Sequence, residues 1–330
     1  MIKRVIVLSN SVGRNFKQQV KVTAVREYEG YEVVSLLTSD QCNYRELVKK
    51  ISLYTSDLFV DLEKKQPLNI QNKVDQLGNL FKSISIAINS LGIENSLNIY
   101  PIKLNDITVS ATWKLLAKEY KEISGLKIGL IGTGNIGSKL ISVLTESGVK
   151  VRCFNRDINK AISIVNSVIL TKPEHVISSP DVVRRIEHTM IDTNGLILSC
   201  SNFKQDISDF IHLMNKDFKI YLIGHSLLMK DSLKNFRENN IDIKRIDVGK
   251  ELLSFVIGTL MTQRYSVYGN TLFKGQKVCS GGYLGNSGTL IVDDFKSPKW
   301  HYSNCDSMGG STFEKNEKFD NLKKFDDLFN

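Results

Sequence analysis

The run Gly132-Thr133-Gly134-Asn135-Ile136-Gly137 spaces its glycines as a chain must to wrap a pyrophosphate, and Asn155-Arg156 follows eighteen residues after the last of them. The chemistry implied is anion binding. Gly132 permits a tight turn, Gly134 lets the backbone approach the phosphates, and Gly137 lets the next helix pack against its strand. Thr133, Asn135 and Ile136 complete the turn and join the glycines as cofactor-binding candidates. A helix starting here offers unpaired N–H groups and a partial positive charge to phosphate. Arg156 carries a planar guanidinium suited to gripping a ribose 2′-phosphate with two parallel hydrogen bonds. NADP rather than NAD is therefore the expected cofactor. Asp157 holds a second reading open, because an inward-turned carboxylate repels that phosphate and favours NAD. A glycine turn that binds nothing, with Arg156 as a solvated turn residue, is the bland alternative.

The elements around these residues supply the context that the fingerprint requires. Lys127 to Ile131 reads as a short buried strand. From Ile136 to Val149 the apolar residues fall at helical spacing, with Gly148 near the C-cap. Lys150 to Phe154 reads as a second strand. A helix over 158–165 follows, then short apolar runs at 167–170, 195–200, 219–224 and 243–248. Six strands alternating with helices imply a parallel sheet covered on both faces. This is a doubly wound, Rossmann-type NAD(P)-binding domain from about Gly125 to Gly249.

The first hundred residues form a separate α/β unit. Strands are predicted at Val5 to Leu8, Val20 to Val25, Tyr31 to Leu37, Leu58 to Leu62 and Leu97 to Ile102. Helices are predicted at Tyr44 to Ser52 and Val74 to Ile88, with a linking helix from Thr108 to Tyr120. The expected fold class is α/β with two domains: an N-terminal α/β substrate domain over 1–107, then the linking helix and Rossmann domain with a return helix over 108–260. Residues 261–330 form a Gly-rich segment and a polar tail, with Thr289 to Val292 as a short strand. The Gly-rich segment is read as a cover over the cleft or as an oligomer contact such as that of a homodimer. A small-molecule substrate is expected in the cleft between the domains.

Composition narrows the function classes. The chain has 330 residues, 42% apolar residues and a net charge of +9. The charge is scattered rather than gathered on a basic helix with aromatics, so no nucleic-acid partner is expected. No apolar run is long enough to span a bilayer, so no membrane is expected. The first apolar run stops at Ser9-Asn10, too early for a secretion signal, so a cytoplasmic location is expected. The five cysteines are far apart and odd in number, giving neither a zinc pattern nor a disulfide framework. No histidine has a partner at metal-ligand spacing, so no metal is expected. His225 follows a predicted strand end, where open α/β sheets place their ligands. It reads as a proton donor or substrate ligand, or as an exposed loop histidine.

The glycine run followed by Asn155-Arg156 resembles the shikimate dehydrogenase superfamily and, more distantly, glutamyl-tRNA reductase. The resemblance covers roughly residues 60 to 260. It implies that Asn155 and Arg156 hold the 2′-phosphate of NADP, and that the nicotinamide half lies near Ser199, Cys200 and Ser201. The first half echoes the same family in Asp61-Leu62-Glu63-Lys64-Lys65, Asn89-Ser90-Leu91 and Asn105-Asp106. By that resemblance Lys65 is the proton-transfer lysine, Asp106 its partner and Asn89 a substrate ligand, while Ser9 and Ser11 faintly match a serine pair for a carboxylate. Solvated lysines after a strand and an ordinary helix cap at Asn105-Asp106 are the competing readings. Glu63 and Asp61 are lesser catalytic alternatives. The expected function is NAD(P)-dependent hydride transfer to or from a small carboxylate-bearing carbonyl, alcohol or imine. A non-catalytic dinucleotide-binding sensor or scaffold, and a redox-neutral use of the nucleotide, are the alternatives.

Overall fold

The computed structural model describes residues 2–10, 20–39, 42–63, 65–70, 73–200, 203, 205–224, 227–265 and 268–312, with the backbone alone described at 65–70, 73–77 and 263–265. The chain falls into two compact units, residues 1–255 and 256–330. The first unit contains two lobes.

The first lobe opens with β1 (Lys3–Asn10), β2 (Val20–Tyr28), β3 (Tyr31–Thr38), α1 (Tyr44–Ser52) and β4 (Asp57–Asp61). A hairpin of β5 (Lys65–Ile70) and β6 (Lys73–Asn79) follows, then α2 (Leu80–Leu91), β7 (Asn98–Ile102) and α3 (Leu104–Glu119). The sheet runs β2-β3-β1-β4-β7, parallel except for the β2–β3 pair. Its core packs Leu8, Leu58 and Val60 against Val48, Leu80 and Ile84 of the two helices. Asn43 caps α1 by accepting from Glu46 N at 3.3 Å, which starts that helix where its sequence predicts. The expected helix from Val74 begins only at Leu80. Asn79 marks the true start, accepting from Lys82 N at 2.8 Å, and the preceding residues pair with β5 instead. The linking helix α3 starts at Leu104, a turn earlier than its sequence suggests.

The second lobe runs β8 (Lys127–Ile131), α4 (Asn135–Glu146), β9 (Lys150–Phe154), α5 (Ile158–Thr171), β10 (Asp181–Val182), β11 (Gly195–Leu198), β12 (Lys219–Leu222), α6 (Lys230–Glu238) and β13 (Asp242–Arg245). All six strands are parallel, in the order β10-β9-β8-β11-β12-β13. This is the 3-2-1-4-5-6 order of a doubly wound sheet, whose crevice opens between β8 and β11 where the winding reverses. The strand expected at 167–170 belongs to α5. Ala161, Val165 and Val168 are buried at helical spacing, while Leu170 is 84% exposed, so the apolar run wraps a helix rather than crossing a sheet.

The boundary between the units falls inside α7 (Gly249–Tyr265). The second unit carries β14 (Gly269–Phe273), β15 (Gln276–Ser280), β16 (Leu290–Val292), β17 (His301–Cys305) and β18 (Ser311–Thr312) in one mixed sheet. Its small core joins Val278, Leu290 and Val292 to Phe273 and Phe295. Cys279 and Cys305 are buried with their sulfurs 3.5 Å apart. Among the described residues, no helix is long and apolar enough to cross a membrane, and no group of three or more His, Cys, Asp or Glu is placed to hold a metal.

Candidate functional site

The glycine turn sits at the C-terminal end of β8, the strand beside which the winding reverses. Gly132 has φ 100° and donates its N–H to Phe154 O at 2.9 Å, which ties the turn to β9. A Cβ at 132 would lie 2.3 Å from the Ser199 carbonyl oxygen, and one at 137 would lie 1.9 Å from the Gly132 carbonyl oxygen. Both positions exclude any side chain. Gly134 is different, because a Cβ there would meet nothing within 4 Å. Its space opens directly above the start of α4, whose N-cap is Gly134 and which has no side-chain cap. Asn135 and Ile136 form the first turn, so their N–H groups have no intrahelical acceptor. A phosphate fits this cradle: backbone donors, a dipole of the right sign and room where glycine leaves it.

Asn155 braces the turn. Its Nδ2 donates to Thr133 Oγ1 at 2.5 Å, and its Oδ1 accepts from Asp157 N at 3.1 Å. Thr133 is fully buried. Both polar ends of Asn155 are therefore committed to shaping the loop. Asp157 is also committed: its Oδ1 caps α5 by accepting from Lys160 N at 3.1 Å. One oxygen of that carboxylate is thus held at the start of α5. Arg156 between them is exposed, and among the described residues no carboxylate pairs with it. Its charge reaches Cys200, whose thiol is pushed up to about 11 by burial, with Arg156 pulling the other way. Cys200 is thus a protonated, space-filling residue. Ser199 and Cys200 stand at the end of β11 as the wall behind Gly132. Ser201 and His225 lie outside the described residues.

In the first lobe, Lys65 begins β5, and its side chain lies outside the described residues. Asp106 is exposed in the first turn of α3 and ion-pairs with Lys139, with Lys103 Nζ 4.0 Å away. Lys139 lies on α4, in the turn after the glycine loop, and its Nζ also meets Glu63 Oε1 at 3.2 Å. Burial lowers the Lys139 ammonium's proton affinity, but the bonds to Asp106 and Glu63 outweigh that and hold it above the ordinary lysine value. Glu63 Oε2 accepts Asn105 N at 2.6 Å. Ser9 Oγ donates to Asp61 Oδ2 at 3.0 Å, and Asp61 Oδ1 accepts Glu63 N at 2.9 Å. Lys139 is absent from the sequence-derived site. Only its place five residues after Gly134 hinted at it.

Residues 102–200 match the family of the NAD-binding domain of D-isomer specific 2-hydroxyacid dehydrogenases. The matched stretch holds the glycine turn, its helix and Asn155-Arg156.

The middle of the chain is a Rossmann domain of the NAD(P)-binding kind.

A glutamyl-tRNA reductase of Thermosipho melanesiensis is 38% identical over 104 residues, which is 28% of this chain and 27% of that protein. The chain thus spans about a quarter of the length of that curated relative. Solved structures similar to the chain include shikimate dehydrogenase from Aquifex aeolicus (18% identity, TM-score 0.42, 72% of this chain and 83% of that one). L-Tryptophan dehydrogenase from Nostoc punctiforme is similar at 14% identity and TM-score 0.41, covering 70% of this chain and 63% of that one. The family match falls on the linking helix and the first part of the Rossmann domain, residues 102–200, and the resemblance to glutamyl-tRNA reductase read from the motifs has its counterpart in the Thermosipho melanesiensis relative.

Proposed function

We propose that the chain is an NAD(P)-dependent oxidoreductase that prefers NADP and takes a small carboxylate-bearing carbonyl, alcohol or imine between the first lobe and the Rossmann domain. The observation that carries the cofactor reading is an exposed Arg156 that no carboxylate among the described residues pairs, beside an Asp157 that caps α5. When bound, the nicotinamide supplies hydride chemistry. The chain's own residues do the rest. The first-turn N–H groups of α4 and the open face of Gly134 receive the pyrophosphate, and Arg156 receives the 2′-phosphate. Ser199 and Cys200 wall the turn. Among the acid–base candidates, Asp106 stands at the lobe facing the glycine helix. Lys65 and His225 remain the other groups proposed to move a proton.

Fluorescence titrations with NADPH and NADH test this. Wild type is expected to bind NADPH more tightly. Arg156→Ala is expected to lose that preference, at about 1.5–3 kcal/mol for charge-assisted bonds, roughly ten- to a hundredfold. Tighter NADH binding, unchanged in Arg156→Ala, refutes it. A second reading, a non-catalytic dinucleotide-binding sensor or scaffold, draws on one observation: Asp106 is already engaged by Lys139. Tight NADPH binding with no consumption across a panel of keto acids, aldehydes and imines favours that reading.

A further inference from the structure

The contacts of Lys139 form part of a longer chain. It begins at the C-terminal end of β1, where the Ser9 hydroxyl donates to Asp61. Asp61 then holds the backbone N–H of Glu63 at the end of β4. Glu63 divides its two oxygens between Asn105 N, at the start of α3, and Lys139 Nζ on α4. Asp106 closes the set from the first turn of α3. The first lobe thus meets the N-terminal end of the glycine helix at one ammonium held by two carboxylates, while Trp113 of α3 donates to Ser147 Oγ at the helix's other end. Side chains on a helix lean toward its N-terminus, so the Lys139 ammonium is carried back toward the end of α4 that bears the phosphate cradle. Glu63 is only 11% exposed in its side chain, which reduces the solvent screening of its bond to Lys139.

We propose that Lys139 is a positioning residue: with Glu63 and Asp106 it latches the first lobe to the glycine helix and sets how tightly the cleft closes on a bound dinucleotide. The latch stands on the contacts themselves, and its effect on the cofactor rests on the function proposed above. Without the ammonium, the two carboxylates of the first lobe are left side by side with no cation from α4 between them, and they repel. The first lobe then loosens at α3, Glu63 loses its cation near the phosphate cradle, and Asp106 keeps only Lys103 at 4.0 Å. An arginine at 139 keeps the cation and its two partners. Exchanging the charges, with glutamate at 139 and lysine at 106, rebuilds the pair with opposite polarity and leaves Glu63 a cation to bind.

Hydrogen–deuterium exchange on peptides covering 57–63 and 104–110, read beside NADPH titrations on the full chain, tests this. Lys139→Met is expected to speed exchange in both peptides and to weaken NADPH binding by roughly fivefold or more, the scale of a coupling between sites. Lys139→Arg is expected to match wild type in both readouts, and Lys139→Glu with Asp106→Lys to recover slow exchange. Unchanged exchange in a folded Lys139→Met overturns the latch. Faster exchange with unchanged NADPH affinity overturns its coupling to the cofactor. If Lys139→Met does not fold, a Lys139→Arg protein with the exchange of the charge-swapped variant supports the latch, and faster exchange in both overturns it. A wild type that binds neither dinucleotide, with exchange still faster in Lys139→Met, keeps the latch and refutes the cofactor reading alone.

Discussion

Substituting alanine at Gly137 and at Gly134, three residues apart in one loop, should give opposite results. At Gly137 the added methyl carbon would lie 1.9 Å from the carbonyl oxygen of Gly132, well inside contact distance and against backbone rather than a movable side chain. Forcing extra volume into packed structure costs typically about 1–3 kcal/mol, and a backbone clash belongs at the upper end. Alanine's better helix propensity returns up to about 1 kcal/mol. The net expectation for Gly137→Ala is a loss of roughly 1–2 kcal/mol of stability, by the difference of those two magnitudes. At Gly134 the methyl meets nothing within 4 Å, so the fold should hold to within about 0.5–1 kcal/mol, the cost of a poorer N-cap. That methyl does occupy the space proposed for the pyrophosphate, so NADPH affinity should fall by at least about tenfold, or about 1.4 kcal/mol. Urea unfolding measures the first effect and fluorescence titration the second. A Gly137→Ala protein as stable as wild type refutes the close-approach argument. Unchanged NADPH binding in Gly134→Ala refutes the placement of the phosphates.

Asp157→Ala should remove the α5 cap, at about 1 kcal/mol of stability, and leave the NADPH-to-NADH preference unchanged; a shift of that preference toward NADPH would mean the carboxylate faces the ribose after all. Glu119 supplies a pH test. The bond from Lys244, then that from Lys219, holds its carboxyl below the ordinary glutamate value near about 4.3, so its stabilising contribution is complete above that value and is lost as pH falls through the lower folded one. The stability gap between wild type and Glu119→Gln should therefore shrink from pH 7 to pH 3, and a gap that stays constant contradicts the assignment.

The glycine turn was legible because its determinants are local. Glycine spacing, the flanking strands and the position of Asn155-Arg156 lie within thirty residues, and every strand of the Rossmann sheet except the short β10 was marked by its own apolar run. The run at 167–170 misled because four apolar residues look alike in a strand and on a helix; the buried spacing of Ala161, Val165 and Val168 decides it, and that spacing begins earlier in the chain. The Lys139 contacts were hidden for another reason. Its partners lie 33 and 76 residues away, and no periodicity connects a helix lysine with a loop glutamate at that separation. Asp157 stays open in the sequence because two positions of its carboxylate suit the same residues; the fold adds the bond that Lys160 N donates to it at the start of α5. The sheet of the second unit was missed except at 290–292, since its other strands mix polar and apolar residues without a steady alternation.

The wall behind Gly132 also orders events in time. The turn, its helix and β9 are made from residues 127–154, a stretch of low sequence separation that closes quickly. The carbonyl that confines Gly132 comes from Ser199, and β8 pairs with β11 only after the chain has returned from β10. On a ribosome the fingerprint therefore emerges well before the surface that shapes it. A chain stopped before residue 195 carries every residue of the glycine motif and lacks the strand that makes the motif a site. Fragments meant to bind the dinucleotide should extend past β11, and a nascent chain acquires its phosphate cradle only once β11 has been made.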